Sequence, residues 1–349
     1  MAAIMAASMS GVPQRREGPP AADWEHLFYP ERDYAYFRRP LPAPARAHVR
    51  EPITAAWMAD AAVLAYGRSG ADLISPEKFS GFLKNAGLGY STIGDWSGTA
   101  HGTQGFFANS ADSAVLSFRG TEKSDWTDSL TDLNILPVRV TEELPAPSAA
   151  DKTIFHLGLR NPLLNPFDHK EIGVHAGFQA ALNEVWGDVR SKLQNYRTAN
   201  PAAPIFFTGH SLGAALATLA IVRFGDKNTA LFTYGSPRAG NRAFCDEARN
   251  VAGLGIYRFV DNQDLVTTVP PQDMFYEHTA GRMHIDENGK ITAGGAVDDP
   301  GQLRVIVEVL SSAAIAAKDY TTSAPPPREL VDHSPGRYCY FTWQVVVNV

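Results

Sequence analysis

The sequence predicts an α/β fold: a mixed, mostly parallel central sheet flanked by helices, with one long insertion. Three observations predict it. Short apolar runs of strand length alternate with segments of helical spacing. Gly209-His210-Ser211-Leu212-Gly213 lies between the apolar run Ile205-Phe206-Phe207-Thr208 and the small, helix-forming run Ala214-Ala215-Leu216-Ala217, which marks a sharp strand-to-helix turn. Asn288-Gly289, set between His284-Ile285 and Lys290-Ile291, marks a hairpin, so the sheet is mixed rather than purely parallel.

In chain order, residues 1–50 are rich in proline, alanine and arginine, with Pro19-Pro20 and Pro40-Leu41-Pro42-Ala43-Pro44. They read as an irregular N-terminal extension whose aromatics pack along one domain spanning 51–349. Ile53 to Tyr66 has apolar residues at helical spacing, with Gly67 suited to the position after the helix. Ser113 to Phe118 reads as a strand. His175 to Leu193 contains a second helix, and Leu212 to Phe224 a third, closed by Gly225. Ala230 to Tyr234 and Gly255 to Val260 read as buried strands, and Leu303 to Lys318 as a helix. The run Tyr338 to Val347, dense in aromatic and β-branched residues, reads as a strand. No internal repeat is visible.

The chain has 349 residues, 44% of them hydrophobic, enough to bury one large core. A net charge of −6 with scattered lysine and arginine gives no electrostatic footprint for nucleic acid. No apolar run is long enough for a transmembrane segment. Neither H-E-x-x-H, C-x-x-C nor an EF-loop occurs, so neither metal nor other cofactor is expected. Met1 to Gly11 is mildly apolar, but Arg15 and Arg16 follow it instead of preceding it. No signal peptide is read there, and a cytoplasmic location is favoured over a secreted one. Cys245 and Cys339 are the only cysteines, and two free buried thiols are favoured over a disulfide.

The strand-to-helix turn exposes the Ser211 hydroxyl at a helix N-terminus beside the backbone N–H of Leu212, which makes a nucleophile and half of an oxyanion hole. A serine hydroxyl needs a base to activate it and a carboxylate to orient that base. The acid candidates are Asp261 and Asp264, just past a predicted strand, and position alone does not separate them. Of the histidines that follow, His284 opens the hairpin and is assigned a structural role, and His278 a core or supporting one. His333, in the late loop Val331-Asp332-His333-Ser334-Pro335-Gly336, is the first choice for the base.

Five separated segments together resemble the class 3 lipase family, the fungal-lipase-like branch of the α/β-hydrolases. They are Val115-Leu116-Ser117-Phe118-Arg119-Gly120-Thr121; Asp125-Trp126 with Thr131-Asp132-Leu133; Val174-His175-Ala176-Gly177-Phe178; Thr233-Tyr234-Gly235-Ser236-Pro237-Arg238-Ala239-Gly240-Asn241; and Asp261-Asn262-Gln263-Asp264 with Val269-Pro270-Pro271. The resemblance runs from about Ala55 to His333. It implies an α/β-hydrolase fold, with Ser211 as nucleophile, Asp264 as acid and His333 as base. It also implies an oxyanion hole from the backbone N–H groups of Thr121 and Leu212, assisted by the Thr121 hydroxyl. In the family the histidine commonly opens a final helix with an aromatic a few residues on; here Ser334-Pro335-Gly336 intervenes before the strand-like run.

The activity implied is that of a serine carboxylic ester hydrolase, a triacylglycerol lipase or esterase acting on an acyl ester or lipid substrate. The same triad would serve a feruloyl esterase, a phospholipase A1 or an acyltransferase. A lipase-like binding protein with a relict site is the non-enzyme alternative. The insertion carries apolar segments such as Ile154-Phe155-His156-Leu157 and Pro162-Leu163-Leu164. The resemblance makes residues 134–172 a lid touching a lipid interface, and the competing expectation is a fixed subdomain. His156, His169 and His175 are assigned structural roles, His175 as the start of a helix under the site.

Overall fold

The computed structural model describes residues 49–67, 76–94, 102–121, 137–139, 172–294, 326 and 328–347. Its strands are β1 (Gly89–Ile93), β2 (Gly105–Asn109), β3 (Ala114–Phe118), β4 (Pro137–Arg139), β5 (Gly173–His175), β6 (Ile205–His210), β7 (Thr229–Tyr234), β8 (Gly255–Asp261), β9 (Arg282–Ile285) and β10 (Ile291–Ala293). The described helices are α1 (Pro52–Leu64), α2 (Pro76–Asn85), α3 (Ala176–Ala199), α4 (Leu212–Phe224), α5 (Arg242–Val251), α6 (Arg328–Val331) and α7 (Pro335–Val347).

Eight strands form one sheet in the order β1-β2-β3-β6-β7-β8-β9-β10. Strands β3, β6, β7, β8 and β9 run parallel, while β1-β2-β3 at one side and β9-β10 at the other are antiparallel. The sheet is therefore mixed and mostly parallel, and Asn288-Gly289 lies in the β9–β10 hairpin as expected, with Ile285 opposite Ile291.

Both faces of the sheet are covered, which is why its central strands are apolar throughout instead of alternating with polar residues. On β6, Ile205 and Phe207 point into a core with Leu182, Val185, Leu193 and Leu216 from α3 and α4. The intervening Phe206 points to the opposite core, with Met58 and Leu64 of α1 and Tyr338 and Phe341 of α7. Helix α1 is apolar all round because it is sandwiched. Its small residues let it approach the sheet closely enough for Ser117 Oγ to donate to Ala61 O at 2.9 Å and Thr208 Oγ1 to Met58 O at 3.0 Å.

The expectation of a strand over Tyr338 to Val347 is corrected: these residues belong to helix α7. Their aromatic and β-branched content favours a strand locally, but Pro335 can open a helix, and only the helix buries Tyr338, Phe341 and Trp343 against α1. Trp343 Nε1 donates to both carboxylate oxygens of the buried Asp60 at 3.0 Å, which pins α7 to α1. Strands β1, β2, β4 and β5 and helices α2, α5 and α6 escaped the sequence analysis.

Cys245 and Cys339 are both buried and free, as expected. The N-terminal extension up to residue 48 and the helix expected over Leu303 to Lys318 lie outside the described residues. So does the 134–172 insertion, apart from β4, which pairs antiparallel with β5 at Pro137 and His175, and Ile172.

Candidate active site

The site forms where the parallel strands end. Ser211 stands between β6 and α4 with φ 57° and ψ −129°, a conformation that a serine holds only when its surroundings impose it. Here they do: the Ser211 N–H donates to Tyr234 O at 3.0 Å, and its carbonyl accepts the first helical bond from Ala214 at 3.0 Å. The hydroxyl makes no capping bond to α4. It is thus buried at a helix N-terminus without being committed to holding that helix.

Close approach then joins this turn to the end of β3. A Cβ on Gly213 would lie 2.2 Å from Phe118 O, and one on Gly120 2.7 Å from His210 O. Only glycines allow both contacts; Thr121, half-buried, is the residue after Gly120. Leu212 is the first residue of α4, so its N–H has no acceptor within the helix.

Asp264 follows β8 and caps the short 3₁₀ turn Leu265–Thr268, its Oδ1 accepting from Val266 N–H at 3.0 Å. His333 sits in the turn between α6 and α7. Its Nδ1 lies 2.9 Å from both Oδ1 and Oδ2 of Asp264. A carboxylate only accepts, so Nδ1 carries the proton and Nε2 keeps its lone pair. Asp264 and His333 are both buried.

Asp264 is also bonded to Tyr338, whose hydroxyl donates to Asp264 Oδ2 at 2.6 Å and accepts from Asp261 N–H at 3.0 Å. Burial, with Asp264 and Asp261 nearby, pushes the Tyr338 phenol well above its ordinary value, so it remains a donor. Gly235 completes the surround with φ 58°; a Cβ there would fall 2.7 Å from Asp264 Oδ2 and 2.9 Å from His333 Nδ1.

The two candidate acids thus part company. Asp264 meets His333, whereas Asp261 Oδ2 accepts from Arg337 Nε at 2.8 Å. Burial outweighs that guanidinium and raises the Asp261 carboxyl to about 7.

His210, inside the pentapeptide, also meets His333. Its Nε2 lies 2.8 Å from the His333 carbonyl and its Nδ1 2.9 Å from the Tyr66 hydroxyl. A carbonyl cannot donate, so His210 Nε2 donates and Nδ1 accepts from Tyr66. Burial, followed by the charge of His333, pushes His210 well below its ordinary value, so it remains neutral.

His175 caps α3, its Nδ1 accepting from Phe178 N–H at 3.3 Å, and burial lowers it to about 3. His278 donates from Nε2 to Thr267 O at 2.6 Å, in the turn that follows Asp264. His284 lies half-buried in β9. His156 and His169 lie outside the described residues.

Tyr338, His210 and Tyr66 escaped the sequence analysis. Tyr338 turns toward Asp264 because Pro335–Val347 is helical, and the strand expectation concealed it. His210 was legible only as a variable position of G-x-S-x-G. No group of three or more His, Cys, Asp or Glu among the described residues is arranged to hold a metal.

Residues 115–274 match the family model for lipase (class 3). The chain is 38% identical over 116 residues to secreted mono- and diacylglycerol lipase 1 of Fusarium solani, covering 33% of this chain and 34% of that protein. It is 31% identical over 189 residues to a lipase of Rhizopus niveus, covering 51% and 44%. The matched region spans less than half the length of these curated relatives. The crystal structure of a lipase from Rhizopus microsporus var. chinensis shares the fold, with a TM-score of 0.53 at 21% identity over 93% of this chain and 100% of that one. The expected cytoplasmic location is corrected by the first of these relatives, which is named as secreted. Residues 115–274 are thus similar to the class 3 lipases, and the mixed, mostly parallel sheet flanked by helices is a fold shared with the Rhizopus microsporus lipase.

Proposed function

We propose that this protein is a serine carboxylic ester hydrolase, a triacylglycerol lipase or esterase, that works through an acyl-enzyme on Ser211. The observation that carries this reading is His333 Nδ1 set 2.9 Å from both oxygens of Asp264, with the His333 carbonyl bonded at 2.8 Å to His210, the residue before the strained elbow Ser211. Proton-bearing Nδ1 leaves Nε2 as the base. Asp264 orients the ring and stabilises the imidazolium that forms when His333 takes the serine proton.

Ser211 Oγ attacks the ester carbonyl. The backbone N–H groups of Thr121 and Leu212, with the Thr121 hydroxyl, receive the oxyanion; each such donor contributes about 3 kcal/mol to the transition state. His333 then protonates the leaving alcohol, and water hydrolyses the acyl-enzyme by the same steps.

The hydrolase domain is assigned to residues 51–349, with a lid within 134–172 that meets the lipid interface. The substrate is an acyl ester or lipid, in keeping with the relatives' names, and the secreted Fusarium solani relative supports action outside the cell.

The test is hydrolysis of p-nitrophenyl esters from C2 to C16, above and below substrate aggregation, with Ser211→Ala as the blank. Ser211-dependent turnover that rises at aggregation on long chains is the expected result. Turnover confined to short chains, with no rise at aggregation, would remove the lid from this assignment. Absence of Ser211-dependent turnover on every chain would overturn it.

A further inference from the structure

Beside the Asp264–His333 pair lies a closed group of ionic side chains. Asp332, the residue before His333, is fully buried and reaches across to the loop that leads into Asp264. Its Oδ2 accepts from Asn262 Nδ2 at 2.9 Å and from Gln263 N–H at 3.3 Å. Its Oδ1 accepts from Arg328 Nε at 2.8 Å and lies 3.0 Å from Arg337 Nη2. Arg337 also donates from Nε to Asp261 Oδ2 at 2.8 Å, and its guanidinium lies over the Phe341 ring at 5.0 Å.

One guanidinium, four residues after His333, therefore grips the residue before it and the residue three before Asp264. Two carboxylates, Asp261 and Asp332, face two guanidinium groups, Arg328 and Arg337. These groups meet one another, while Asp264 meets His333 and Tyr338. The His333 N–H donates to Leu330 O at 3.0 Å. Leu330 and Val331 anchor this turn by burial, and the ionic ties join it to the loop that leads into Asp264.

We propose that Arg337 is a positioning residue for the Asp264–His333 pair, acting by bridging Asp332 to Asp261 and so holding the turn that bears the base against the loop that bears the acid. This rests on the ester-hydrolase assignment for its kinetic consequence, but the juxtaposition itself does not. A buried pair broken on one side leaves a charge stranded and lets the two loops part. A displacement on the order of 1 Å between reacting groups costs about 100-fold in rate. Lysine keeps the charge of arginine but lacks the planar fork that can hold two carboxylates at once.

The experiment compares wild type with Arg337→Lys, Arg337→Gln and Asp332→Asn. Two readouts are taken: kcat and KM on p-nitrophenyl butyrate, per active site titrated with a fluorophosphonate, and the downfield proton resonance of His333 Nδ1–H. The expected result is a kcat reduced about 10-fold in Arg337→Lys and about 100-fold in Arg337→Gln, with KM within about twofold. The resonance broadens or is lost in the same order. If Arg337→Gln does not fold, Arg337→Lys and Asp332→Asn decide the matter.

Folded variants that keep the wild-type kcat and resonance while losing only melting temperature would overturn the proposal and make the cluster a fold-stabilising one. A wild type without Ser211-dependent turnover would sink the hydrolase assignment alone, because the resonance still reports whether Arg337 holds His333 on Asp264.

Discussion

Gly235→Ala is a small change with a large expected effect, because of where its methyl group would point. Gly235 has φ 58°, a conformation that costs an alanine about 1–2 kcal/mol. Its Cβ would stand 2.7 Å from Asp264 Oδ2, 2.9 Å from His333 Nδ1 and 3.0 Å from His333 Cε1, whereas ordinary contact begins at 3.4 Å. Asp264 and His333 must therefore retreat by about 0.7 Å, and Asp264 cannot do so freely, since it is tied to Tyr338 and Val266. A misplacement of that size is expected to lower kcat by about 10- to 100-fold. Overpacking adds a loss of about 1–3 kcal/mol in stability.

Gly225→Ala is the control. Gly225 has φ 67° but its nearest neighbour, Val222 O, lies 3.9 Å from the added methyl, so it carries the backbone strain without the clash. The assay is kcat on p-nitrophenyl butyrate per titrated site, with thermal melts of both variants. Gly235→Ala with a kcat within twofold of Gly225→Ala would refute the proposed geometry of acid and base.

Other substitutions test other parts of the structure. Asp264→Asn should cost about 10⁴-fold in kcat, because an amide no longer holds the proton on His333 Nδ1; single-turnover acylation measures it. Trp343→Phe takes the indole donor from the buried Asp60 carboxylate and should destabilise the fold by about 2 kcal/mol, read from denaturant midpoints. The third prediction concerns pH. The value of about 3 for His175 lies below its ordinary 6.5, so its contribution is complete above 6.5 and is lost as pH falls toward 3. Each such proton contributes a slope of up to about 1.4 kcal/mol per pH unit. Asp261, raised to about 7, acts in the opposite sense, losing stability as pH rises from about 4 to 7. His175→Asn should therefore make acid denaturation shallower, and Asp261→Asn should make it steeper, in urea titrations from pH 7 to 4.

The central strands and the elbow were legible because their signals are local. Ile205 to His210 is long, apolar and bounded by turn residues, and Gly213 can be nothing larger against Phe118. The hairpin announced itself by Asn288-Gly289. The outer elements were less legible. Gly89–Ile93 is largely polar because it lies at the sheet edge, and Gly105–Asn109 is only five residues long. Neither offers a pattern that distinguishes strand from loop.

The choice between Asp261 and Asp264 shows the division most plainly. Both lie in one tetrapeptide, Asp261-Asn262-Gln263-Asp264, and local chemistry is the same for each. Position alone left them equal, and only the resemblance preferred one. In three dimensions the β8 end turns Asp261 toward Arg337 and carries Asp264 under His333, 69 residues away in sequence. The C-terminal run makes the same point. Its aromatic and β-branched residues have a local preference for strand, and that preference loses to the burial of Tyr338 and Trp343 on α1.

By itself, then, the sequence determined the layered α/β plan, the parallel core and the strained serine, since periodicity, glycine placement and turn chemistry act over a few residues. Which carboxylate meets His333, that Tyr338 donates to it and that Arg337 lies between Asp261 and Asp332 were decided by the tertiary structure alone. These contacts join segments about 70 residues apart, and no local pattern records which distant partner a buried charge will find.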